Sequence, residues 1–173
     1  MHLKDLAFRF GFKSVSHVSV LFQQWIFMLS KVLGSLITWP SCRNVKQNLP
    51  NGFKEKAEFR AIRCILDCTE FAIQAPSALS LNAMNYSYYK CCHTVKVLCS
   101  ITPDGYFSFV STAFPSSISD NAFTIQSGLL DLCEPGDSLL ADKGLTVSNA
   151  ELQPRGLTKF RLDEEIVNSC QVK

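Results

Sequence analysis

The chain has 173 residues, carries a net charge of +2, and is 47 % apolar and 18 % charged. That length suits one domain with a small appendage, and the apolar share supports a packed core and excludes a disordered chain. So weak a charge excludes nucleic-acid binding through bulk charge alone and leaves only local basic patches for that purpose.

Eight cysteines are spread over the sequence. Several lie inside apolar, strand-like runs and no cleavable signal peptide is visible, so the reading is reduced, mostly buried thiols of an intracellular protein. Cys91 and Cys92 are adjacent, no C-x-x-C pair occurs, and no set of four ligands has zinc-site spacing.

Leu3, Leu6, Ala7 and Phe10 share one face of a predicted first helix, which Gly11 can end. A second helical pattern runs from Ser14–Ser16 to about Leu33, before Gly34. The apolar run over 15–37 is broken by His17, Gln23, Gln24 and Lys31, so it reads as an amphipathic, largely buried helix and not a membrane span. Two helices joined by a short glycine turn suit a helix-turn-helix, and equally any helical hairpin. Residues 38–59, rich in Pro, Asn, Gly and Lys, read as a connector.

From Ala61 the texture becomes strand-like. AIRCILDC is a buried-strand candidate ending on Asp67, and FAIQ is a short second one. Residues 76–90 are polar and aromatic, a loop or short helix. HTVKVLCSI, PDG and YFSFVST form a predicted hairpin. Ser119 to Leu132 reads as a helix with Ser119 as N-cap, and SLLAD as a last short strand ending on Asp142. The order of strands and helices predicts an α/β fold with a sheet covered by helices.

Asp67 and Asp142 close strands, and Asp120 opens a helix. Three carboxylates at one sheet edge suit Mg²⁺ or Mn²⁺, which take oxygen ligands. The same residues also serve turns and caps, and for Asp120 alone capping is the stronger reading. Glu70 has no assigned task.

ILDCTEFAIQAPS, YSYYKCCHTVKVLCSITPDGYFSFVSTAF, SISD and LCEPGDSLLADKG together resemble the DDE-type endonuclease domain of Harbinger-like transposases, in relatives where a THAP zinc finger and a helix-turn-helix often precede it. The upstream DLAFRFG, FQQW, TWPS and LPNGFKEK resemble the segments before that domain. The resemblance implies an RNase H-like mixed sheet with flanking helices, preceded by a helix-turn-helix-like helical pair. It implies two divalent metals, Mg²⁺ or Mn²⁺, held by acids for DNA cleavage and strand transfer. Asp67 matches the first catalytic acid, Asp120 a later one and Asp142 a further acidic position. Lys90 and Lys96 match family positions that face phosphates or the site, or stand as plain strand-edge lysines. DNA is the implied partner, a homo-oligomer is allowed, no membrane role is implied, and the nucleus is the implied location.

The departures are specific. The family's last acid is a Glu in an E-R pair on a helix beyond its D-x-G motif. The tail here has Glu164 and Glu165 without that context, and neither is promoted to the site. Leu145 replaces the aromatic after D-x-G, Pro115-Ser116-Ser117 replaces a Gly-Gly step, and His17 to Phe22 lacks the arginine that would face DNA. The expected layout is a helix-turn-helix-like segment at 1–35, a linker at 36–60, a partial endonuclease domain at 61–147 and a divergent tail at 148–173. The copy is read as shortened at both ends, with the C-terminal part of the fold incomplete and residues past about 150 poorly packed. Three functions follow. The first is a metal-dependent nuclease, probed through Asp67 and expected to be inactive alone for want of the last acid. The second is a non-catalytic DNA-binding or protein-interaction module, and the third a transposon remnant without a selected role.

Overall fold

The computed structural model describes residues 2–142, 145 and 147–161. It divides into two compact units, residues 1–37 and 38–173.

The first unit is a helical pair, α1 (Leu3–Arg9) and α2 (Val15–Gly34). Gly11, at φ +68°, turns the chain out of α1, and the Phe12 amide closes that end on the Ala7 carbonyl at 2.8 Å. The expectation of a largely buried α2 is corrected: Val18 is its one buried residue, while Val20, Trp25, Phe27 and Val32 are exposed. The reason is length. Seven residues of helix span about 10 Å and twenty span about 30 Å, so α1 covers only part of its partner. Among the described residues no helix is long and apolar enough to cross a membrane.

The second unit opens with α3 (Cys42–Gln47), whose N-cap Ser41 accepts the Asn44 amide, then α4 (Asn51–Glu55) and a 3-10 turn at Ala57–Ala61. The stretch predicted as a bare connector therefore holds short helices, with Val45, Leu49, Phe53 and Phe59 buried. After it come β1 (Ile62–Ala72), α5 (Leu79–Met84), β2 (Tyr86–Ser87), β3 (Cys92–Ile101), β4 (Phe107–Val110), β5 (Phe114–Pro115), α6 (Asp120–Gln126), β6 (Ser138–Ala141), α7 (Asn149–Leu152) and β7 (Thr158–Arg161).

The fold is mixed α/β. Seven strands form one sheet in the order β2-β3-β1-β6-β7, with β4 and β5 also pairing with β3. β1 lies antiparallel to β3 and parallel to β6, and β6 is parallel to β7. This arrangement is compatible with an RNase H-like fold. The predicted hairpin is present as β3 and β4, with Gly105 at φ +95° in its turn, where a side chain would be strained.

Two predicted elements change. AIRCILDC and FAIQ are not two strands, because β1 continues through Asp67 and Glu70 to Ala72, paired all the way with β3. The helix predicted to Leu132 stops at Gln126, because Gly128 adopts a left-handed φ of +82° and a separate 3-10 turn follows.

Alternation along the strands divides the core. Cys64, Leu66, Leu139 and Ala141 face one cluster with Leu98, Phe123 and Leu129, whereas Ile65 and Leu140 face a second with Leu49, Phe53 and Phe59. Ile62 shares its parity with Cys64 yet joins the second cluster. The register between β1 and β6 slips by one residue at Arg63, so a β-bulge changes the facing of the strand there. The bulged Arg63 is 2 % exposed. Its guanidinium donates to the Pro40 carbonyl at 2.7 Å, lies 3.6 Å from the Asp137 carboxylate and stacks over Trp39.

The expectation of poor packing past residue 150 is overturned over the described residues. Leu152 and Leu157 are buried in the main core, and β7 extends the sheet beyond β6. Glu164 and Glu165 lie outside the described residues. The thiols also differ from expectation, since Cys64 is buried, Cys91 is exposed and the other described cysteines are half-buried.

Candidate active site

Asp67 stands in the middle of β1, opposite Cys99 of β3, and not at a strand end as the sequence suggested. What ends there is its pairing on the other side. β6 stops at Ala141, which pairs with Leu66, so β1 runs on past Asp67 with only β3 beside it. The parallel register, continued by one residue, sets Asp142 beside Asp67. Asp142, predicted as the last residue of its strand, stands just past β6.

Asp120 enters from α6. Ser119 caps that helix by accepting the Ala122 amide at 3.3 Å, which frees the Asp120 side chain from capping. The carboxylate instead meets the Lys96 ammonium at 3.1 Å, and the same ammonium donates to the Ile118 carbonyl at 3.2 Å. Lys96 pairs across the sheet with Glu70, yet Glu70 takes a hydrogen bond from the Thr94 hydroxyl at 2.8 Å. The lysine that the sequence marked is thus a site residue, and Glu70 is a strut between β1 and β3.

Asp67, Asp120 and Asp142 line one cleft of about 420 Å³, with Glu70, Tyr89 and Lys96. Strand alternation gives Asp67 the side of Ile65, and Glu70 and Lys96 the side of Leu66. The acids therefore reach the cleft around both faces of β1, through the gap that β6 leaves. Among the described residues no three His, Cys, Asp or Glu side chains form a metal-holding group.

Two further residues, one lining the cleft and one bonded to Leu145 of its wall, carried no sequence signal. Cys68 lines it with a thiol that burial pushes up to about 11, Lys96 drawing it back and the nearby acids adding to the rise, so it is protonated at neutral pH. Lys159 of β7 donates to the Leu145 carbonyl. Burial first, and then Arg161, lower its pKa, while Asp120 opposes the shift. Nothing local in TKFR announces this role, since it depends on β7 pairing next to β6.

The donor chemistry suits a hard divalent cation. Every acid at the cleft offers oxygen, and Mg²⁺ is commonly bound through one or two carboxylates plus water and substrate phosphate. Asp67, Asp120 and Asp142 bring such oxygens to the cleft, and Asp120 is engaged by Lys96.

The family model for DDE superfamily endonucleases matches residues 66–169, well over half of the chain, and the chain belongs to that family. Its members depend on divalent metal and act on DNA. No curated protein and no solved structure matches the chain.

Proposed function

We propose that the chain is a transposase-derived, Harbinger-like DDE domain in which Asp67 and Asp142 hold a divalent cation, Mg²⁺ or Mn²⁺, for cleavage or strand transfer at a DNA phosphodiester. The observation that supports it is that Asp67, Asp120 and Asp142 line one cleft, just beyond the last pair of β1 and β6, Leu66 with Ala141. When bound, the cation supplies activation of the attacking oxygen and stabilisation of the leaving one. The protein's part is positioning. β1, paired with β3 from Ile65 to Ala72, fixes Asp67, and Lys96 holds Asp120 and offers a positive charge to a phosphate. These 173 residues hold no E-R pair beyond Asp142, so taken alone they are expected to cleave poorly. The helical pair α1–α2 is the helix-turn-helix remnant, DNA is the partner, self-association is carried over from the family, and the nucleus is the site of action.

The Asp120–Lys96 ion pair favours a second reading, a non-catalytic DNA-binding or protein-interaction module, since it neutralises an acid that metal chemistry would use. Calorimetric titration of Mn²⁺ into the wild type and Asp67→Asn, followed by a DNA-nicking assay, separates the two. The proposal expects binding in the wild type, weakened at least about tenfold in the variant. Absence of binding in the wild type would reject the metal site. Binding without nicking is the result expected of an impaired centre.

A further inference from the structure

Beside the acid cleft lies a second groove of about 550 Å³ that shares Glu70, Tyr89, Lys96 and Asp120 with it. Its other wall is aromatic and hydroxylic, with Tyr86, Tyr88, Ser116 and Ser119. Tyr88 is 88 % and Tyr89 85 % exposed, which is unusual for large rings standing together next to a site.

The rings are held in place. Tyr86 packs edge-on against both Tyr88 and His93, with centroids 5.2 and 5.3 Å away. The turn that presents Tyr88 and Tyr89 is closed by the Lys90 amide donating to the Ser87 hydroxyl, and by Cys91 in a left-handed conformation at φ +52°. Such a backbone costs energy in a residue other than glycine, and here it fixes two exposed tyrosines. Lys90 covers one face of Tyr89 at 4.9 Å from the centroid. Opposite them Ser116 is 8 % exposed and lines the groove, and its hydroxyl is buried without a hydrogen-bond partner. The negative charge there is partly offset, since Lys96 pairs with Asp120 while Glu70 is held by the Thr94 hydroxyl.

Flat exposed rings, with Lys90 beside Tyr89, match the chemistry of an unstacked nucleotide, whose base stacks and whose phosphate seeks a cation. The volume is on the scale of a small-ligand pocket and does not admit a duplex. We propose that this groove takes one or two unstacked nucleotides of a single DNA strand next to the phosphate at the acid cleft. The proposal rests on the reading of that cleft as a DNA-processing centre, and it names the form of DNA that enters.

The test is fluorescence anisotropy of the full chain with a fluorescein-labelled oligothymidine strand of about 10 nucleotides, in EDTA, so that metal binding plays no part. The double variant Tyr88→Ala/Tyr89→Ala is expected to weaken binding roughly tenfold or more, and Tyr88→Phe/Tyr89→Phe to stay within about twofold of wild type. An unlabelled duplex of the same length should compete poorly. Because both tyrosines are exposed, circular dichroism of the variants should match wild type. Binding indifferent to the alanine changes, equal loss in the phenylalanine variant, equal competition by duplex, or no binding to the strand would each overturn the proposal. The Mn²⁺ titration reads Asp67 and not the tyrosines, so failure of the acid site and failure of this groove give different results.

Discussion

Asp120 is already engaged: Lys96 holds it at 3.1 Å in a half-buried setting. Removing the ammonium with Lys96→Met therefore has two expected effects. Thermal or urea unfolding should show a loss of about 1 kcal/mol, the scale of a partly screened ion pair. The calorimetric Mn²⁺ affinity should rise, because a carboxylate is released to the cleft. A fall in affinity would instead show that the lysine organises the site. The thiols make a separate prediction about pH. Burial pushes Cys64 and Cys133 up to about 12, from about 9 in the absence of the fold. Between those values the unfolded chain has lost protons that the folded chain keeps, so stability is full below about pH 9 and is lost as pH rises towards 12. For Cys64, which is fully buried, the eventual loss is on the order of 4 kcal/mol. Urea melts at successive alkaline pH values should show the decline, with a shallower slope in Cys64→Ala.

The β-bulge at Arg63 is the element on which the join between β1, β6 and the Trp39–Pro40 segment depends. Arg63→Ala would strand the buried Asp137 carboxylate and is expected to cost about 3–5 kcal/mol in urea denaturation. At the far edge, Leu157→Ala should cost about 2–5 kcal/mol, as expected of a core leucine before the last described strand. A negligible effect would restore the picture of a loose tail. Both elements show what the sequence could and could not convey. The hairpin around Pro103-Asp104-Gly105 was legible because its turn chemistry is local. So were the Ser119 cap and the short strand before Asp142. Asp67 was set at a strand end, whereas it stands within β1. The true boundary is where β6 stops, and that belongs to a partner strand about seventy residues away. The bulge was illegible for the same reason, since Arg63 looks like any residue of an alternating run until its partner strand is known. The tyrosine turn carried no signal beyond composition, because a left-handed Cys91 follows no common turn rule.

The whole molecule divides at residues 37 and 38. Limited proteolysis is expected to cut first near that division and to leave a resistant fragment bearing the seven-stranded sheet, identified by mass spectrometry. A fragment beginning well inside 38–61 would show that α3 and α4 are not integral to the second unit. Their buried Val45, Leu49 and Phe53 argue that they are.

The strand that outlasts its neighbour also bears on how such a protein ages. Asp67 and Asp142 are exposed side chains on a backbone whose pairing does not depend on them. Asp67 can be exchanged for a neutral residue at little cost to folding, so chemistry and architecture answer to different selective pressures. A lineage can shed the reaction in single steps and still inherit an intact scaffold, available for recruitment to another task.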